Sequence, residues 1–281
     1  MMKERNHHEA VERKPGNMTT EHSSSWRRAT GGALLLPALV RVQAQLPVLP
    51  EDAKTAVRQR VDYGYCPGIV VGLMKTNGST YFGYGRMDLD GGPAVDENTL
   101  FEIGSIAKVF TATLLADMAE CGELELTNAI QSYLPDWITA PTWLDHPITL
   151  THLATHTSGL PDWWSNLNPA ERDNPFAGYT RELMYEFVDS YQLRRAPGAG
   201  FEYSNFGMGL LGQLLERLSG VGYEALVVTR IADEIVLADT RIDLSPVQQA
   251  RLARRCHVWS ARLRRLPLLF LPTTRTMIEP P

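Results

Sequence analysis

The chain has 281 residues, 44% of them hydrophobic and 21% charged, which is ordinary for a globular protein with a substantial core. Its formal net charge of −5 gives no reason to expect a nucleic-acid partner. The three cysteines, Cys66, Cys121 and Cys256, are too widely spaced for a disulfide framework, and no residues have the spacing of a metal site. The composition therefore predicts neither a metal nor a cofactor.

The N-terminal part of the chain has the composition of an export signal. Residues 1–25 are polar and without periodicity, which is typical of a disordered arm. Residues 26–45 then combine the basic pair Arg27-Arg28, the apolar run Gly31–Val40 and a small-residue exit near Ala44. The apolar run is too short to span a bilayer, so no stable membrane anchor is expected.

The predicted signal lies deeper in the chain than a signal peptide normally does. A start at Met18 would place it correctly, which favours a misassigned start codon upstream. We therefore predict an exported protein, periplasmic or secreted. A chance apolar run within an N-terminal arm is the alternative.

Two elements are predicted at the start of the globular part. Apolar residues at helical spacing predict a helix over Pro50–Tyr63. The runs Gly68–Met74 and Ser79–Arg86 flank Asn77-Gly78 and predict a β-hairpin, with both residues of that pair at positive φ in the turn.

Helices are predicted to dominate the middle of the chain. Apolar periodicity predicts a helix over Ser105–Cys121 that ends at Gly122. A mainly helical and loop region follows, and Phe206–Leu218 predicts a second strong helix that stops at Gly220. Because a two-stranded sheet is marginal, further strands are expected later, but no later segment has a strand pattern.

The C-terminal tail, residues 254–281, departs from the composition of the rest. From Arg254 to Ile278 it contains six arginines, no lysine and no acidic residue, and it has neither strand nor helix periodicity. This shift favours a frameshifted or truncated end over a basic tail that binds an acidic partner.

Ser105 and Lys108 form a candidate nucleophile and base. Residues three apart share one face of a helix, so the serine hydroxyl and the lysine amine can approach each other. A serine hydroxyl is a weak nucleophile until a neighbouring base takes its proton. A Ser-x-x-Lys match alone is expected by chance in a chain of this length, and a Ser105 N-cap is the alternative interpretation.

Tyr203 and Asn205 form the second candidate pair. They follow a Pro-Gly turn and directly precede a predicted helix. The tyrosine can relay or accept the serine proton, and the asparagine can hydrogen-bond a substrate amide. A buried tyrosine beside an Asn helix cap is the alternative.

Three segments in order resemble class C β-lactamases and related penicillin-recognising serine hydrolases. They are Leu100–Thr111 (LFEIGSIAKVFT), His152–Pro161 (HLATHTSGLP) and Pro197–Asn205 (PGAGFEYSN). The similarity runs from about Pro47 to Ser245. The Tyr-x-Asn segment, in place of Ser-Asp-Asn, points to the class C-like branch.

The resemblance implies an α+β fold of the β-lactamase/transpeptidase type. In that fold an antiparallel sheet is flanked by helices, and a mainly helical lobe is inserted between early and late strands. It also implies an acyl-enzyme at Ser105, proton transfer by Lys108 and Tyr203, and substrate binding by Asn205. His156 is interpreted as a turn residue, and Trp163 and Trp164 as either cleft or packing residues.

One motif of that family is missing from this sequence. No Lys/His-Thr/Ser-Gly follows Tyr203, and the Lys-Thr at Lys75-Thr76 lies in the early hairpin. The strand that carries this motif would supply a second oxyanion donor. We therefore divide the chain into an arm with the signal (1–46), an incomplete hydrolase domain (47–253) and the atypical tail (254–281).

Several functions stay open at this point. The first is hydrolysis of a β-lactam; the alternatives are a D-Ala-D-Ala carboxypeptidase or small-ester esterase with the same site, and an inactive truncated homologue. Each active form predicts a small-molecule substrate as the partner.

Overall fold

A computed structural model describes residues 46–167, 176 and 178–254. Its helices are α1 (Glu51–Asp62), α2 (Ala107–Glu120), α3 (Leu150–Ala154), α4 (Arg181–Ser190), α5 (Asn205–Ser219), α6 (Tyr223–Val227) and α7 (Pro246–Gln249). Its strands are β1 (Gly68–Lys75), β2 (Gly78–Asp88), β3 (Gly91–Ala94), β4 (Thr142–Trp143) and β5 (His146–Pro147). The predicted export signal, and the tail beyond Arg254, lie outside the described residues.

The predicted hairpin is confirmed, but its turn is placed differently. β1 and β2 pair antiparallel in continuous register from Gly68 opposite Gly85 to Lys75 opposite Gly78. The two turn residues are therefore Thr76 and Asn77, and neither has a positive φ, whereas Gly78 enters the strand at φ 140°. The prediction that Asn77-Gly78 forms the centre of the turn is wrong.

The sheet gains one strand that the sequence pattern does not indicate. β3 pairs antiparallel with β2, which gives the order β1-β2-β3, and β4 and β5 form a separate two-stranded ribbon. Within the part of the chain that the structure describes, the outer edge of β1 has no partner strand. The α+β class is thus confirmed, and no late strand joins the sheet in these residues.

The last described residues run back beside the start of the nucleophile segment. The backbone N–H of Leu100 donates to Arg251 O at 2.8 Å, and that of Ala253 donates to Leu100 O at 2.9 Å. Arg254 N–H then donates to Met87 O on β2 at 2.8 Å. This segment therefore ties the segment before Ser105 to the sheet.

The hydrophobic core lies in the helical part of the molecule. α5 is its centre, because nearly every residue from Asn205 to Leu215 is buried. One face of α2 packs against it through Leu114, Leu115 and Met118. α5 ends, as predicted, at Gly220, which adopts the left-handed conformation at φ 67°.

No helix among residues 46–167 and 178–254 is long and apolar enough to cross a membrane.

Candidate active site

Ser105 and Lys108 are brought together by a change of helix type. A 3₁₀ turn over Gly104–Ile106 leads directly into α2, and Gly104 allows the entry because its φ is +52°. Lys108 Nζ donates to Ser105 Oγ at 3.2 Å. The lysine side chain is 7% exposed, and it has no ion-pair partner within 4.0 Å among the residues described.

Tyr203 reaches the same serine from a distant part of the chain. Its hydroxyl donates to Ser105 Oγ at 2.9 Å. Lys108 Nζ also lies 5.0 Å from the centre of the Tyr203 ring. Two donors therefore converge on one oxygen, which is the arrangement that stabilises negative charge as it develops on the nucleophile.

His156 contacts Tyr203 and accepts hydrogen bonds from the backbone on both sides of it. Its ring lies 4.5 Å from that of Tyr203, and its Nδ1 accepts a hydrogen bond from Ser204 N–H at 3.1 Å. Its carbonyl accepts from Glu202 N–H at 2.8 Å. Burial, and then the positive charge of Lys108, lower the pKa of His156, while Asp162 acts in the opposite direction.

The beginning of α5 is fixed to the turn that precedes Trp163. Ser204 caps the helix, since its Oγ accepts from Gly207 N–H at 2.8 Å and donates to Pro161 O at 2.7 Å. Asn205 Nδ2 donates to Asp162 Oδ1 at 2.7 Å. Asn205 Oδ1 is buried and has no hydrogen-bond partner among the described residues.

The structure thus brings Ser105, Lys108 and Tyr203 into one hydrogen-bonded group, with Asn205 two residues from the tyrosine. Sequence reasoning gave His156 only a turn role, although it supports Tyr203 directly. It missed Asp162, which orients the Asn205 amide. The only signal for Asp162 was its position directly after the Thr157–Pro161 turn.

The two neighbouring tryptophans have different environments. Trp164 is 9% exposed and packs against Phe176, Tyr179 and Phe206, so it belongs to the core. Trp163 is 41% exposed and stacks on Phe176 with nearly parallel rings. The packing alternative therefore holds for Trp164, and Trp163 retains a solvent-facing surface.

Among the residues that the structure describes, no group of three or more His, Cys, Asp or Glu side chains is placed to hold a metal ion.

Comparison with known proteins shows which family this chain resembles. The sequence model of the family Beta-lactamase matches residues 53–275. A Beta-lactamase of Escherichia coli K12 is 29% identical over 222 residues, covering 79% of this chain and 55% of the relative. The D-alanyl-D-alanine-carboxypeptidase/endopeptidase AmpH of the same organism is 29% identical over 224 residues, covering 78% and 58%.

A solved structure agrees with these relatives. The Beta-lactamase/D-alanine Carboxypeptidase from Yersinia pestis, complexed with citrate, superposes with a TM-score of 0.63 at 25% identity. The superposition covers 72% of this chain and 59% of that one. The chain thus spans a little over half the length of the proteins that it matches.

Proposed function

The chain belongs to the Beta-lactamase family, whose model matches residues 53–275, and on that premise we propose that it is a serine hydrolase that opens β-lactam rings through an acyl-enzyme on Ser105. The observation that carries the proposal is the convergence of Lys108 Nζ and Tyr203 Oη on Ser105 Oγ, at 3.2 Å and 2.9 Å. An isolated surface serine would have no such pair of contacts.

The first step is attack of Ser105 Oγ on the lactam carbonyl carbon. The C–O bond forms, the serine proton leaves, and the amide C–N bond then breaks as the ring nitrogen takes up a proton. Lys108 and Tyr203 both touch Oγ, so the group that is deprotonated accepts the serine proton while the other stabilises the alkoxide. Water then attacks the resulting ester, which releases the opened product and restores the Ser105 hydroxyl.

Asn205 positions the substrate in this proposal. Its Nδ2 donates one N–H to Asp162, and its unpartnered Oδ1 would accept from the side-chain amide N–H that most penicillins carry. A buried acceptor without a partner is costly, and a substrate N–H would remove that cost.

The decisive measurement is formation of one adduct on Ser105, because the contacts that carry the proposal are made to the oxygen that attacks in acylation.

The test is the intact mass of the full chain after incubation with benzylpenicillin. Wild-type protein is expected to gain one penicilloyl group, and Ser105→Ala none. Circular dichroism of both proteins is the control for folding. Folded wild-type protein without an adduct, or an adduct that persists in Ser105→Ala, would overturn the proposal.

A D-Ala-D-Ala carboxypeptidase is the second candidate, because AmpH is named a D-alanyl-D-alanine-carboxypeptidase and the matched Yersinia pestis protein a D-alanine carboxypeptidase. The same serine would then attack the peptide carbonyl and release D-alanine. Release of D-alanine from a D-Ala-D-Ala peptide, compared with opening of a chromogenic cephalosporin, separates the two. A short-chain ester in the same assay tests the esterase alternative.

We also propose that the protein is exported, on the basis of the signal-like segment at 26–45. The N-terminal sequence of the protein recovered from the periplasm or medium tests this, since cleavage near Ala44 is expected. An uncleaved N-terminus in the cytoplasm would contradict it.

A further inference from the structure

Three contacts connect His156 to Tyr203 and to its two neighbours in the chain. The His156 carbonyl accepts from Glu202 N–H at 2.8 Å, and Nδ1 of its ring accepts from Ser204 N–H at 3.1 Å. The rings of His156 and Tyr203 also pack against each other, 4.5 Å apart and 31° from parallel. One residue therefore fixes the backbone on both sides of the tyrosine whose hydroxyl donates to Ser105 Oγ.

The contact between His156 and Ser204 requires the neutral form of the imidazole ring. A ring nitrogen that accepts an N–H carries no proton, so the proton of the neutral ring lies on Nε2. A second proton on Nδ1 would place two N–H groups opposite each other, and the hydrogen bond would be lost. This contact thus depends on the charge of the histidine, whereas the carbonyl contact to Glu202 does not.

Three titratable groups surround the His156 ring. Lys108 comes from α2, Asp162 from the loop after α3, and Tyr203 from the segment before α5. Burial, and then the charge of Lys108, lower the pKa of His156, while Asp162 acts in the opposite direction. The carboxylate of Glu202 pairs with an arginine at 2.9 Å. The ring is therefore neutral at neutral pH, as the contact to Ser204 requires.

We propose that neutral His156 is a positioning residue for acylation, because it keeps Tyr203 Oη in contact with Ser105 Oγ. This role rests on the proposed function, in which the tyrosine hydroxyl takes part in proton transfer from the serine. Misplacement of a catalytic group by about 1 Å can slow a reaction about a hundredfold. Protonation of His156 releases the Ser204 side of the Tyr203 backbone and therefore slows the attack of Ser105.

The test is the rate at which the full chain forms the penicilloyl adduct with benzylpenicillin between about pH 7.5 and 5.0. The wild-type rate is expected to fall about tenfold per pH unit below the folded pKa of His156, which lies under its usual value of 6.5. The midpoint of this decline should coincide with the pKa read from the His156 ring resonances by NMR. Circular dichroism at each pH restricts the comparison to folded protein.

His156→Asn is the variant that removes the titration and keeps the acceptor. Asparagine offers an oxygen to Ser204 N–H and tolerates the left-handed backbone at φ 58°. We expect acylation about two- to tenfold slower than wild type near neutral pH, because the ring packing is lost. Below that pH the rate of this variant should not show the wild-type decline.

Two further variants separate His156 from its surroundings. His152→Asn is the matched control, because it removes another half-buried histidine whose Nδ1 accepts a backbone N–H, that of Thr149 at 3.1 Å. It should keep the wild-type midpoint. Asp162→Asn removes the carboxylate that raises the pKa of His156, so the midpoint should move to lower pH.

The outcomes distinguish this role from the proposed function. A wild-type rate that does not fall over this pH range, or a decline with the same midpoint in His156→Asn, would contradict the role of His156 and leave the acyl-enzyme intact. A decline that persists in His156→Asn and disappears in Asp162→Asn would assign it to the carboxylate instead. Absence of an adduct on folded wild-type protein at every pH would overturn the proposed function, and the role of His156 with it.

Discussion

Asn205 Nδ2 donates to Asp162 Oδ1 at 2.7 Å, and this contact fixes the orientation of the Asn205 amide group. A carboxylate can only accept, so the amide nitrogen must point to Asp162. Asn205 Oδ1 is then left as the buried acceptor without a partner. Under the proposed function, Asp162 is therefore a positioning residue for substrates that carry an amide N–H.

Asp162→Asn is expected to slow acylation by benzylpenicillin about tenfold, because an amide at 162 can donate to Asn205 and reverse its orientation. The rate of adduct formation, measured by time-resolved intact mass, checks this. 6-Aminopenicillanic acid lacks the side-chain amide and is the control substrate, whose acylation rate should change little. Equal losses with both compounds would mean that Asp162 only supports the fold.

Tyr203→Phe is expected to slow acylation by about a hundred- to ten-thousandfold, as loss of a general acid or base does. The change removes only the hydroxyl that touches Ser105 Oγ and keeps the ring that packs on His156. Tyr191→Phe is the matched control, since it deletes a hydroxyl that donates to Gly159 O. Acylation of Tyr203→Phe at the wild-type rate would exclude it from proton transfer.

Lys108→Ala is expected to slow acylation strongly as well, because it removes the second group on Ser105 Oγ. Single-turnover rates with a chromogenic cephalosporin check this. Because Lys108 is buried, the thermal unfolding of the variant must be measured beside its rate. A folded variant with unchanged rates would rule the lysine out as the base.

The stability of the protein is expected to fall as the pH is lowered below about 6.5, the ordinary pKa of histidine. His156 and His152 each accept a backbone N–H through Nδ1, and burial lowers the pKa of both in the folded state. The unfolded chain therefore takes up protons that the folded chain does not, so the contribution present above pH 6.5 is lost as the pH falls through the folded pKa.

His156→Asn tests this assignment, because asparagine tolerates the left-handed backbone at φ 58° and offers an acceptor that does not titrate. The melting temperature between about pH 7.5 and 5.5 should depend less on pH in the variant than in the wild type. His152→Asn is the parallel variant. If the melting temperatures of both variants changed with pH as much as that of the wild type, the pH dependence would come from other groups.

The fold was predictable where a local pattern determines the structure. Apolar spacing and a terminal glycine were enough for α2 and α5, since both signals act within a few residues. The position of the hairpin turn was not predictable in this way. Pairing along the whole of β1 and β2 sets the strand register, and in this register Gly78 belongs to the strand. β3 was missed because Gly91–Ala94 contains two glycines and a proline, which weaken any strand pattern.

The candidate site was predictable only in part for the same reason. Ser105 and Lys108 have the spacing of one helix face, and Tyr203 and Asn205 form the Tyr-x-Asn motif. The sequence therefore indicated all four residues. That Asp162 reaches Asn205 depends on how the Thr157–Pro161 turn packs against α5, which is a tertiary contact between residues 43 apart. No local pattern encodes such a contact.

Gly209, inside α5, and Gly220, directly after its end, should respond in opposite directions to substitution by alanine. Gly220→Ala is expected to destabilise the protein by about 1 kcal/mol, because φ 67° is strained for a residue with a Cβ. Its new methyl group would meet no atom within 4 Å, so the loss reports the backbone alone.

Gly209→Ala is the matched control within the same helix. A Cβ there would lie 3.8 Å from Met184 Cε, an ordinary contact, and alanine favours the helix over glycine by about 1 kcal/mol. Urea unfolding of both variants should therefore move the midpoint down for Gly220→Ala and up for Gly209→Ala. If the Gly220 variant were as stable as wild type, the left-handed end of α5 would not be a constraint on the fold.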